Sequence, residues 1–157
     1  MSVEQVLTLI QDSPLAHVIS KSNHLVAASL QVIHVLGFIA LLAALVLVGL
    51  RLLGWTLKTQ ALADVAKDAS RLLYLGLGMT IVSGVLMFIA TPKLYFHKPA
   101  FELKMLLFLA ALVLQFWLLR RLVDRASENA AVVRVTVAAS LLVWFGIGFA
   151  GRMIGFT

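Results

Sequence analysis

The chain has 157 residues, of which 62% are hydrophobic and only 13% charged, and its mean hydropathy is +1.03. A soluble domain is about half apolar and about a quarter charged, so this sequence lacks the polar side chains needed to coat a water-facing surface. Thirteen Lys and Arg against seven Asp and Glu give a pI near 10.2. The basic residues stand at the ends of apolar runs instead of on one face, which argues against a nucleic-acid reader and suits a bilayer. The absence of cysteine excludes disulfides, iron–sulfur clusters and thiolate zinc sites.

In chain order, Val3, Val6, Leu7, Ile10 and Leu15 recur near helical spacing, with Glu4, Gln5, Gln11 and Asp12 between them. That pattern predicts an amphipathic helix lying in the membrane interface over about residues 1–20. No basic segment precedes its apolar part, so it does not read as a signal peptide. Pro14 is expected to mark the break before the first span. A helix crossing a bilayer needs roughly 20 apolar residues, and four runs meet that demand: 25–50, 72–91, 100–119 and 135–156. The first two carry no charge; the third has Glu102 and Lys104 in its first turns, and the fourth has Arg152 near its far end. Residues 51–71 read as a polar connection with a surface turn of helix, 92–99 as a tight link and 120–134 as a charged loop. The expectation is one all-α membrane domain, a four-helix bundle with an interfacial N-terminal helix.

Orientation follows from the basic residues. Arg51, Lys58, Lys67, Arg71, Arg120, Arg121, Arg125 and Arg134 follow the first and third spans, whereas Lys21, Lys93, Lys98, Lys104 and Arg152 lie on the other side. The positive-inside rule puts the larger group in the cytoplasm, with both termini outside a bacterial inner membrane. Rows of small residues at four-residue spacing predict close helix contacts: Gly76, Thr80 and Gly84 in the second span, Gly151 and Gly155 in the fourth, with Gly37, Leu41 and Ala44 in the first. These are more close-contact faces than one small bundle needs, which favours a homo-oligomer or a place in a larger membrane complex.

Polar side chains inside a bilayer are costly and mark function. His24, Gln31 and His34 lie along the first span, His97 in the loop above, Glu102 and Lys104 in the third span and Arg152 in the fourth. All seven belong to the outward half. His24 and His97 also fit solvated interfacial positions, and Lys104 and Arg152 can snorkel to headgroups. His34, about ten residues and so roughly 15 Å into its helix, is too deep for that. Histidine is the usual axial ligand of b-type haem, and Lys104 and Arg152 suit its two propionates. His34 would be the metal ligand, with Met79, Met87, a lysine or a neighbouring subunit's histidine opposite it; His24 and His97 could instead hold a haem near the surface. Copper also accepts His and Met ligands, but the five methionines form no ladder. Neither a serine–histidine–acid set nor HExxH is present, which argues against a hydrolase.

The stretch from His34-Val35-Leu36-Gly37-Phe38 to Leu50-Arg51-Leu52-Leu53-Gly54, with Phe96-His97-Lys98-Pro99-Ala100-Phe101-Glu102-Leu103-Lys104 further on, resembles small bacterial four-span membrane proteins of uncharacterised role. More distantly it resembles the four-helix membrane protoporphyrinogen oxidases and the copper-resistance D family. The resemblance implies a haem b and activity linked to His34 and Lys104, with Arg51 a weaker match. The expected function is therefore binding of haem b, or electron exchange with a quinone, at an outward-facing site around His34. The rival expectations are a cofactor-free accessory subunit and, last, a copper or small-solute permease.

Overall fold

The computed structural model describes residues 2–22, 24–115 and 130–156, and no strand occurs among them. Seven helices are described: α1 (Val3–Gln11), α2 (Pro14–Lys21), α3 (His24–Leu52), α4 (Leu62–Ala90), α5 (Pro92–Phe96), α6 (Pro99–Val113) and α7 (Ala130–Met153). The fold is all-α, as expected. Among the described residues, α3, α4 and α7 are long and apolar enough to cross a membrane. The expected 100–119 span opens as α6, but its end, like Arg120, Arg121 and Arg125, lies outside the described residues.

The expected single interfacial helix is two. Ser2 and Gln5 form a reciprocal cap on α1, with the Ser2 amide donating to Gln5 Oε1 at 2.8 Å and the Gln5 amide to Ser2 Oγ at 3.4 Å. The chain breaks at Asp12 and restarts at Ser13, whose hydroxyl accepts from the Ala16 amide at 3.2 Å. Pro14 is then the first residue of α2, a position where its missing N–H costs nothing. Pro14 therefore begins a second short helix and does not separate the interfacial segment from the first span.

α3 ends where Gly54 adopts φ +70°. The Trp55 amide donates to Leu50 O at 3.0 Å and the Gly54 amide to Arg51 O at 3.0 Å, a glycine-terminated helix end. Arg51 then closes the following loop, its Nε and Nη2 donating to Gln60 O at 3.1 and 2.7 Å. The polar stretch expected to be a separate surface turn is instead continuous with the second span. Val65 and Ala69 are buried one turn apart, so the helix starts at Leu62 with an inward apolar face and carries Asp64, Lys67, Asp68 and Arg71 around the remainder.

α3 and α4 form the tightest pair. A Cβ placed on Gly76 would fall 2.5 Å from Gly37 O, and one on Gly37 would fall 2.7 Å from Met79 Cβ. Glycine is required at both positions because the two backbones touch. α6 and α7 form a second hairpin, which meets the first mainly through α3 and α7. Leu41, Leu45, Ala111, Trp144 and Ile147 fill the centre, with Phe38 and Phe108 set 6.3 and 6.1 Å (ring centroids) from Trp144. At one end α1 and α2 fold against α4 and α5, burying Leu7 and Ala16. His34 and Lys104 lie toward this capped end.

Candidate functional site

His34 occupies the seam between α3, α4 and α6. Its ring lies close against the α4 backbone, and a Cβ on Gly84 would come within 3.0 Å of His34 Cε1. Glycine at 84 therefore makes room for the imidazole. His34 Nδ1 is 3.1 Å from Ser83 Oγ, and Ser83 Oγ in turn donates to Met79 O at 2.5 Å. On the other side of the ring, Lys104 Nζ lies 3.4 Å from His34 Nε2. The lysine stem runs past Gly151 of α7, so four helices contribute to the seating.

The directions of these bonds follow from donor and acceptor chemistry. A lysine ammonium has three donors and no acceptor. It donates to Nε2, which leaves the ring proton on Nδ1. That N–H donates to the Ser83 oxygen, whose own hydrogen goes to the Met79 carbonyl. The result is an ordered relay, Lys104 to His34 to Ser83. Among the described residues no carboxylate pairs with Lys104; Glu4 Oε1 instead meets His97, 3.0 Å from its Nε2. A charge with no opposite partner among apolar helices is costly to hold.

Of the seven residues expected to converge, the structure brings together His34 and Lys104. His97 instead ties α5 to α1 through Glu4 and sits 3.1 Å from Lys93 O through Nδ1. Arg152 is exposed and stacks 4.9 Å above the Phe156 ring. His24, Gln31 and Glu102 are exposed. Lys98, a neighbour of this cluster, donates to Ile154 O at 2.7 Å and fastens the end of α7. Ser83 is the member that sequence reasoning missed. It lies 49 positions from His34, so no local spacing joins them; its one signal was a hydroxyl in an apolar run. The Gly76 and Thr80 row, expected to serve helix contacts, is used up within the chain against Gly37.

Among the described residues no three His, Asp or Glu side chains gather as a metal site. A haem iron on His34 would need the Nε2 lone pair, which here faces the Lys104 ammonium. What the arrangement offers chemically is a cation with spare N–H donors, backed by an imidazole and a hydroxyl able to pass a proton. Neither the curated proteins nor the solved structures contain a match to the chain. A family model, however, matches residues 9–157, nearly the whole sequence, and the chain belongs to that family of unknown function, DUF6644.

Proposed function

We propose that this membrane protein binds the headgroup of a quinone-type electron carrier at the Lys104–His34–Ser83 relay. The observation carrying this reading is the 3.4 Å approach of Lys104 Nζ to His34 Nε2 in a half-buried setting without a described carboxylate partner. A quinone carbonyl accepts a hydrogen bond from the ammonium, and the positive charge stabilises the negative charge that gathers on that oxygen when the ring is reduced. His34 accepts from the lysine at Nε2 and so aims the ammonium, and Ser83 accepts from Nδ1–H and fixes the imidazole in that tautomer. Haem b on His34 is the rival carrier; it requires Lys104 to swing off Nε2 and serve a propionate.

The site belongs to the outward half of a bacterial inner membrane under the positive-inside rule. A cysteine at Lys98 is then labelled from outside and one at Lys67 is not. The deciding experiment is purification in mild detergent, followed by an absorption spectrum and extraction of bound small molecules. A co-purifying quinone, lost in His34→Ala and Lys104→Met, supports the reading. A Soret band lost in His34→Ala replaces quinone with haem. With neither carrier, and no spectral change when a soluble quinone is added, the chain is a cofactor-free accessory subunit.

A further inference from the structure

Beyond the His34 site, the bundle contains a second polar layer toward the opposite end. Ser140 on α7 donates from Oγ to Gln115 Oε1 at 3.2 Å, just past α6. With Ser70 of α4 and Gly49 of α3 they line a cavity of about 30 Å³. Such a space holds a water when two or more polar groups face it, and Ser70, Gln115 and Ser140 supply them. An apolar plug built on Leu41, Leu45 and Ile147 lies between the two polar layers.

The plug is not wholly apolar. Thr80 Oγ1 and Trp144 Nε1 are both fully buried and have no hydrogen-bond partner among the described residues. A buried polar atom left unpaired is costly, and native proteins nearly always relieve it, commonly with internal water. Their positions form a sequence. Thr80 is one turn of α4 from Ser83 on the inner side, facing Gly37. Trp144 packs on Phe38, the next residue of α3, and Ser140 follows one turn along α7. From Ser83 to Ser70 the path covers thirteen residues of α4, roughly 20 Å at about 1.5 Å each.

We infer that the two polar layers are the ends of one proton path, bridged through the plug by water held on Thr80 and Trp144. The step is a succession of proton hops: each oxygen or ring nitrogen takes a proton from one neighbour and releases its own to the next. Only O–H and N–H bonds form and break, and the net event is one H⁺ moved from one side to the other. Thr80 and Ser83 can relay through their hydroxyls. The Trp144 indole is a donor only, so it anchors a water without passing a proton itself. Gln115 and Ser140 hold the water that exchanges with the far side. The inference does not depend on a bound quinone.

Protein reconstituted in liposomes containing a pH-sensitive dye, with a potassium gradient and valinomycin and no added quinone, tests it. The wild-type chain should carry protons faster than empty liposomes. His34→Ala, Gln115→Leu and Trp144→Phe should each slow the flux by roughly tenfold, the effect of losing one well-placed hydrogen-bonding group. Glu4→Gln, in the surface cap, should leave it unchanged. Should Trp144→Phe fail to fold, Ser140→Ala removes one hydroxyl from the same path and decides in its place. Wild-type flux equal to that of empty liposomes overturns the inference, as does wild-type flux in well-folded Gln115→Leu and Ser140→Ala. Failure here with a quinone still bound leaves the proposed function standing, and the reverse holds too.

Discussion

Two histidines of this chain each meet one charged side chain, in regions that differ in almost everything else. His97 faces Glu4 across the cap made by α1 and α5, with both side chains more than half exposed (58% and 62%). His34 faces Lys104 inside the bundle, against the α4 backbone and within reach of Ser83. Water and ions screen the first pair, and a surface ion pair contributes at most about 1 kcal/mol. The second is shielded by apolar helices, where each polar group must find its partner within the protein. The contrast teaches that a short ion-pair distance is a poor guide to importance. The interior lysine without a described carboxylate partner says more than the exposed contact on the surface.

The largest effect should come from disturbing the contact that holds the interior site in register. Gly76→Leu drives a side chain into Gly37 O and Leu41, and overpacking of this kind costs about 3 kcal/mol or more where backbones cannot move apart. Thermal unfolding in detergent should show a large drop, together with loss of any carrier bound at His34. Comparable in size is Trp144→Ala, which empties the centre between Phe38 and Phe108. Its expected cost is about 3–5 kcal/mol by the same measurement.

Ser83→Ala sharpens the comparison. It leaves the Nδ1–H of His34 without its acceptor, at an expected cost of about 1–2 kcal/mol, and should weaken carrier binding without abolishing it. Lys104→Met separates function from stability. It removes a charge held among apolar helices and keeps most of the side-chain volume, so the unfolding temperature should hold or rise while carrier binding is lost. A fall in stability comparable to that of Ser83→Ala would show that the lysine is structural. The smallest effect belongs to the cap. Glu4→Gln should change stability by less than about 0.5 kcal/mol, with any difference fading as salt is raised.

Composition and apolar run length determined the membrane class, the all-α fold and three of the long helices, because a bilayer imposes on each segment a length and polarity that can be counted residue by residue. The place of His34 along its helix, ten residues from the start of α3, was legible for the same reason: rise per residue is a local quantity. Helix ends were less legible. Residues 62–71 read as a polar link because Asp64, Lys67, Asp68 and Arg71 are spread through them, yet burying Val65 and Ala69 suffices to continue α4. At Pro14, the proline was seen while the Ser13 cap before it, which makes it a helix start, was not.

Which polar residues meet was decided by the tertiary structure alone. His24, Gln31, Glu102 and Arg152 were expected in the same half of the bundle as His34, but position along an axis leaves the rotation of each helix open. That rotation is set by the Gly37–Gly76 contact and by the packing of Trp144, both between segments far apart in the chain. The same rotation brought Ser83 and Lys104 to His34. A sequence specifies how far along its own axis each side chain sits in the membrane; only helices packed against one another specify which of them face each other.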